Sequence, residues 1–356
     1  MLCERTQVAA LLTYCALRRY GTQGGGWGRN AGVVVFDERS SFNGRVSVTE
    51  HPVGDGRGTS VWRVLRFGVE TRQSVALVGV DSGAARPDVL AMEYTKAVAA
   101  HVLGLTRLLA AEGCRVRVLC LGGGAGSLPL FLAAFLPQAH VDVVEIDAVV
   151  VAAARLCGFD AAAAALGNVQ VHVTSAQDFL AADNREAYDV VVVDCFTGND
   201  GVPRELLQQP FLGRLRAHLR ASGSAVLMNA HGGQLAPLRV DEAIATVGRR
   251  LRGQGEDTSS RQYRGYEADS ADGRHLVACG TALAEALDAV CWATRVDGQG
   301  NVVLAVVVGA ARPDRDALEE AAMMACQGAP FDCAAYVNTG LHVVSCVGGG
   351  RESAAG

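Results

Sequence analysis

Hydrophobic and polar positions change their period along this chain, and each change predicts a different layer. Between Ala31 and Val80 four short runs stand apart, Val33-Val-Val-Phe36, Arg45-Val-Ser-Val48, Val61-Trp-Arg-Val-Leu65 and Ser74-Val-Ala-Leu-Val78, separated by Gly, Asn, Asp and Pro. Short β-type runs punctuated by turn residues predict an antiparallel meander, here a small all-β annex. From Leu90 to Ala110 the apolar residues recur three and four apart, which predicts a helix. Strands and helices then alternate. Strand Arg117 to Leu121 precedes a helix at Leu128 to Phe135 stopped by Pro137. Strand Val141 to Ile146 precedes the alanine-rich helix Val149 to Cys157, and strand Val169 to Val173 a helix at Ala176 to Ala182. Strand Val190 to Val193 leads to helix Arg204 to Leu219, and strand Ala225 to Asn229 to helix Arg239 to Leu251. Such alternation predicts a parallel sheet covered on both faces, with ligands at the carboxyl ends of its strands.

The pattern closes differently. Cys291 to Val296 and Val302 to Val308 read as a hairpin across Asp297-Gly298-Gln299-Gly300, followed by a helix Asp314 to Ala325 and a last strand Leu341 to Val347. The expected organisation is a leader over 1–30, the annex over 31–88, and a main α/β domain over 89–350 with a polar insertion at 253–273. A tail over 351–356 completes it. No internal repeat is evident.

Composition narrows the function classes. Half of the 356 residues are hydrophobic and 19% are charged, which fits a globular chain. A net charge of -5 argues against a nucleic-acid binder, since phosphate neutralisation needs clustered Lys and Arg. No apolar run reaches the ~18 residues of a membrane span. Eleven cysteines lie scattered without CxxC pairs or zinc spacing. That favours reduced thiols, no metal site and a cytoplasmic location. The alternative location is an organelle, because the first thirty residues hold four arginines against the single acid Glu4.

The chemistry concentrates in Val118-Leu-Cys-Leu-Gly-Gly-Gly-Ala-Gly126 and Val141-Asp-Val-Val-Glu-Ile-Asp147. A buried strand enters a glycine loop, a helix follows, and the next strand ends in an acid. Gly122, Gly123, Gly124 and Gly126 let the backbone turn sharply beside a ligand. Glu145 stands where a ribose presents two hydroxyls, and a carboxylate accepts from both. The order builds a nucleotide or S-adenosylmethionine site, and the terminal hairpin in an otherwise parallel sheet favours the seven-stranded S-adenosylmethionine transferase pattern. Asp194 ends an apolar strand at the site mouth, suited to orienting and deprotonating an amine acceptor; its alternative role is a loop cap. Asp147 reads as the cap of the following helix. Tyr94 flanks the donor's methionine part or fills core, and His101 reads as a satisfied core histidine. Asn229 and His231 line an acceptor channel or sit at the surface.

These residues resemble a family. Ser41-Phe42-Asn43-Gly44-Arg45-Val46, Glu93-Tyr94-Thr95-Lys96-Ala97, the glycine loop, Glu145-Ile146-Asp147 and Tyr188 through Asp194 look like the spermidine-synthase fold. Gly124-Ala-Gly-Ser-Leu-Pro-Leu-Phe131, Gly158-Phe159, Asn301 to Val308 and Tyr336-Val337 are similar to its methyltransferase branch. That branch includes the carboxy-terminal domain of the dual methyltransferase acting on elongation factor 1-alpha. The resemblance implies a donor, S-adenosylmethionine or its decarboxylated form, and an acceptor amine, on a protein or as a polyamine precursor. It also implies an adenine contact at Ser175, where relatives carry an acid, or at Asp178. Free annex edges allow a homodimer.

The departures matter as much. Aminopropyltransferases resemble Gly-Gly-Gly-Asp-Gly in the loop, where the acid holds the charged donor chain, and here that position is Ala125. They carry Gln where this chain has Thr95, and a second acid where it has Thr197; Asp200 lies three places on. A dicationic diamine needs carboxylates at both ends. The expected activity is therefore methyl transfer to an amine. Polyamine aminopropyl transfer and a non-catalytic binding module on the same fold are the alternatives.

Overall fold

The computed structural model describes residues 32–53, 59–68, 71–110, 113–182, 186–196, 201–231, 271–296, 301–337 and 342–345. The leader, helix Arg239 to Leu251, most of the polar insertion, Thr197, Asp200, the His231 side chain and the tail lie outside the described residues.

The annex is the predicted meander. β1 (Val33–Ser40), β2 (Gly44–Pro52), β3 (Ser60–Phe67) and β4 (Thr71–Gly79) form an antiparallel sheet in that order. Alternation along the strands gives it two apolar faces. Trp62, Val64, Val75 and Leu77 join the cluster around Leu90 and Tyr94, on α1 (Glu93–Leu109) and the chain before it. Val46, Val48, Leu65, Ala76 and Val78 join a second cluster with Leu130, Val150, Ala153 and Phe159. The annex thus shares its core with the main domain.

The main sheet has eight strands in the order β12-β10-β11-β9-β8-β5-β6-β7. β5 (Val116–Leu121), β6 (Ala139–Glu145), β7 (Val169–Val173), β8 (Val190–Val193) and β9 (Ser224–His231) are parallel. β10 (Cys291–Arg295) and β11 (Asn301–Val308) form the predicted hairpin, with β11 antiparallel to β9. The short β12 (His342–Ser345), inside the last strand expected over Leu341 to Val347, pairs antiparallel with β10 at the sheet edge and takes the described sheet one strand past the seven-stranded pattern. All four valines of β8 are buried, as required of a strand covered on both faces. One face carries α1, α2 (Ser127–Phe135), α8 (Arg315–Ala325) and α9 (Cys333–Val337), and the other α6 (Gln209–Ala217) and α7 (Ala271–Leu287).

Four elements depart from the expected pattern. The alanine-rich helix stands as expected in α3 (Ala148–Leu156), which stops before Gly158 in the left-handed region, but a second helix that the pattern does not predict, α4 (Phe159–Leu166), follows at once. The helix Arg204 to Leu219 breaks at Gln208 into a single 3₁₀ turn, Arg204–Leu207, and α6. Pro210 explains the break, because proline fits only the first turn of a helix. α7 begins at Ala271, inside the stretch expected to be polar insertion. Cys326 and Cys333, with Cα atoms 6.2 Å apart, form a disulfide joining α8 to α9, a correction to the all-reduced expectation. Their spacing belongs to no metal or redox motif, so nothing local marks the pair.

A polar hub braces the sheet interior. Asp142, 1% exposed, accepts from Arg117 Nη2 at 2.8 Å, His172 Nε2 at 2.7 Å and the Tyr188 hydroxyl at 2.9 Å. Burial pushes its carboxyl up, but the bonds from His172, Arg117 and Tyr188 prevail and hold it below the ordinary value.

Candidate active site

The glycine loop, Glu145, Asp194 and Asn229 gather at the carboxyl edge of β5, β6, β8 and β9. The loop after β5 closes against the tip of β8. Gly122 has φ +96°, and a Cβ there would stand 2.3 Å from the Asp194 carbonyl, so only glycine fits. Gly126, with φ +83°, starts α2, and a Cβ would drive to 1.9 Å from the Phe159 ring. Between them Gly123 and Gly124 turn their backbone toward Glu145 at the end of β6. Gly123 N–H donates to Glu145 Oε2 at 2.9 Å, and Asp147 N–H donates to Oε1 at 3.0 Å. Burial pushes the Glu145 carboxyl up while these amides pull it down, and burial wins.

The Glu145 geometry fits a ribose. The backbone amides of Gly123, Asp147 and Gly124 bond the carboxylate, whose two oxygens keep further acceptor capacity, so sugar hydroxyls can be accepted with the loop still anchored. The side chain is locked before any ligand arrives.

Asp147 is buried at 2% exposure and caps α3 by accepting from Val149 N–H at 2.9 Å, as its position predicts. It does something else as well. Its Oδ2 accepts from Asn43 Nδ2 at 2.7 Å, in the β1–β2 turn, and from the hydroxyl of Ser40, the last residue of β1. The annex therefore holds the residue whose N–H holds Glu145. Asn43 lay inside a family-like stretch, but nothing in the sequence indicated its partner.

Asp194 follows β8 on the other side of the loop. It accepts from Asn229 Nδ2 at 2.8 Å, and Asn229 Oδ1 accepts from Asn301 Nδ2 at 3.0 Å. Tyr94, from the first turn of α1, also bonds its carboxylate, and the Tyr94 hydroxyl lies 3.2 Å from the Gln73 carbonyl. Burial pushes Asp194 up to about 6, against the opposing pull of Asn229 and Tyr94. A carboxylate so placed is ionised at neutral pH yet basic enough to take a proton. Tyr94 and Asp194 are thus brought together.

Ser175 and Asp178 form a local cap at the end of β7, the neighbour of β6. Ser175 Oγ accepts from Asp178 N–H at 3.0 Å and donates to Asp178 Oδ2 at 2.7 Å, starting α5 (Ala176–Phe179). They share the strand-end edge with Glu145 without touching it through any hydrogen bond described. His101 is fully buried, bonded to the Ala97 carbonyl at 2.8 Å and to Thr294 Oγ1 at 3.0 Å. Burial lowers it to about 4, so it is a neutral core histidine. Among the described residues no group of three His, Cys, Asp or Glu is arranged to hold a metal, and no single helix is long and apolar enough to cross a membrane.

Comparison with known proteins bears on the fold and the domain family. Residues 99–234 match the spermine/spermidine synthase domain. A stretch of 113 residues, 31% of the chain, is 34% identical to the polyamine aminopropyltransferase of Vibrio vulnificus (strain CMCP6) and spans 36% of that protein. A stretch of 124 residues, 32% of the chain, is 33% identical to the eEF1A lysine and N-terminal methyltransferase of Xenopus laevis and spans 17% of it. Both curated relatives are therefore matched over a minor part of their length. The fold is similar to that of a probable spermidine synthase from Corynebacterium glutamicum ATCC 13032. The TM-score is 0.56 at 14% identity, over 88% of this chain and 90% of that one. The domain match and the shared fold bear out the resemblance read from the sequence. Matched about equally to an aminopropyltransferase and a methyltransferase, the chain is not assigned to either by identity.

Proposed function

We propose that this chain is an S-adenosylmethionine-dependent methyltransferase that acts on an amine, carried by a protein acceptor. The observation that supports methyl over aminopropyl transfer is the setting of Ala125. The resemblance implies an acid there in aminopropyltransferases, gripping the charged donor chain. Ala125 is fully buried, packed with Val46, Val48, Leu130 and Val150, so this loop position offers a methyl group to an apolar core. Thr95, where those enzymes carry Gln, is also buried and donates its hydroxyl to the Met92 carbonyl at 2.7 Å. Two polar grips for the decarboxylated donor and a diamine are thereby missing, and each charge-assisted bond is worth ~1.5 to 3 kcal/mol.

In this reading Glu145 takes the ribose, the backbone of Gly122 to Gly126 approaches the donor, and Tyr94 flanks its methionine part. The Ser175–Asp178 cap lies toward the adenine. When bound, the donor supplies an electrophilic methyl carbon on its sulfonium. Asp194 draws in the acceptor ammonium and takes its proton; the neutral nitrogen would then attack the methyl carbon as its bond to sulfur breaks and the thioether leaves, with positioning supplying much of the rest. The second reading, aminopropyl transfer, is favoured by the 34% identity to the Vibrio vulnificus enzyme.

Thermal shift with intact and decarboxylated S-adenosylmethionine tests the choice, since binding raises the melting temperature by mass action. The intact donor is expected to shift it further. Methyl-labelled donor with a cell extract is then expected to label a protein amine, and Asp194→Asn to abolish the label. A larger shift with the decarboxylated donor, with methylthioadenosine released in the presence of putrescine, would overturn the methyl reading. No shift with either donor at millimolar concentration would overturn both and favour a binding module.

A further inference from the structure

We propose that Asn229 and Asn301 are positioning residues that set the direction of the hydrogen bond reaching Asp194, so that the carboxylate stays ionised with one oxygen aimed at the acceptor. This rests on the reading of Asp194 as the proton-accepting group.

The argument is one of polarity. An amide presents a donor on one side and an acceptor on the other. Asn229 is 1% exposed, so its side chain has no water to exchange with. Asn301, at the first position of β11, donates Nδ2 to Asn229 Oδ1 at 3.0 Å. With its oxygen engaged there, Asn229 must present Nδ2 to Asp194, and does so at 2.8 Å onto Oδ1. The relay runs one way, from the antiparallel hairpin through β9 to the tip of β8. The register brings the two side chains together, because Asn301 pairs with His231 and Val303 with Asn229, so the two amides stand two residues apart on adjacent strands. Reversed, the same amide would press an oxygen against the carboxylate and favour its protonated form.

The other groups around Asp194 fit this polarity. Tyr94 on α1 bonds the carboxylate. Cys120 on β5 and Cys195, the next residue, both feel its charge, and burial together with that charge holds both thiols well above their ordinary range, so they stay neutral. Asn229 and Tyr94 are thus the described groups that favour the ionised form.

The test needs no acceptor. In full-length protein labelled with [13C]aspartate, the Asp194 carboxyl signal is assigned by its loss in Asp194→Asn and titrated with pH. Asn301→Leu removes the orienting donor, and Asn301→Asp places an acceptor where the donor was. The aspartate should turn the Asn229 amide around. The midpoint of Asp194 is expected to rise in both variants, more in Asn301→Asp, by about one pH unit for loss of a charge-assisted bond. A variant that merely loosened packing would expose Asp194 and lower its midpoint. Should Asn301→Asp fail to fold, by circular dichroism, Asn301→Leu carries the test. Midpoints that stay put or fall overturn the inference. The two readings separate cleanly. If Asp194→Asn retains methyl transfer while the Asn301 variants still move the midpoint, the positioning stands and the catalytic role falls. If Asp194→Asn is inactive and the midpoint does not move, the reverse holds.

Discussion

Replacing Asp194 with asparagine should make the protein more stable at neutral pH, by an amount fixed by its titration. Burial carries the carboxyl from an ordinary 3.8 to about 6. The folded protein therefore holds this proton more tightly than the unfolded chain does. The stabilisation is fully present below pH 3.8 and is lost as pH rises to 6, at about 1.36 kcal/mol per unit. Roughly two units give a cost of about 3 kcal/mol at pH 7, a ceiling because the site relaxes around the charge. Asparagine keeps an oxygen for Asn229 Nδ2, so the bond at 2.8 Å survives while the charge is removed. The assay is thermal or urea unfolding of wild type and Asp194→Asn from pH 4 to pH 8. The difference should be near zero at pH 4, grow through pH 6 and level off above it. For a chain of this length the plateau corresponds to about 4 °C in melting temperature. A difference that does not depend on pH, or an asparagine variant less stable at pH 7, would refute the reasoning. The gain in stability should coincide with loss of transfer, marking Asp194 as a group kept ionised at a cost.

Asn43→Ala should weaken S-adenosylmethionine binding about tenfold, measured by calorimetry, because Asp147 loses the donor at 2.7 Å and Glu145 loses its brace. Glu145→Gln should weaken it by roughly a hundredfold, since an amide cannot accept from Gly123, Asp147 and two hydroxyls at once. Asp142→Asn should cost ~1.5 to 3 kcal/mol in urea unfolding at pH 7, because Arg117, His172 and Tyr188 lose the buried anion they donate to and Arg117 keeps only the exposed Glu186 as ion partner. Asp142 is held below the ordinary value, so its contribution is present above pH 3.8 and vanishes on acidification. The Asp142→Asn deficit should shrink accordingly as pH falls.

Local periodicity carried most of the architecture. The runs at Val33, Arg45, Val61 and Ser74 became β1 to β4, and the strand Val190 to Val193 was read to the residue, because alternation and continuous apolar runs are local signals. The end of α3 is legible, but α4 is an alanine run with no period to read, and only Gly158 marks its start. α7 was missed because its first turn continues a polar stretch. The glycine loop, Glu145 and Asp194 were legible as types at strand ends. Their bonds were not. Asn301 lies 72 residues from Asn229, and Ser40 lies 107 residues from Asp147, so only the folded topology introduces them.

The clasp between the β1–β2 turn and Asp147 has a kinetic consequence. Its hydrogen bonds close loops of 104 and 107 residues, contacts of high sequence separation that form late on a folding route. A nascent chain can complete its parallel strands while the acid beside the glycine bend remains unbraced. Donor capture would then report on maturation, since only a polypeptide whose first sheet has already docked presents a finished grip. Ligand added during refolding should speed no early phase and should trap the last one.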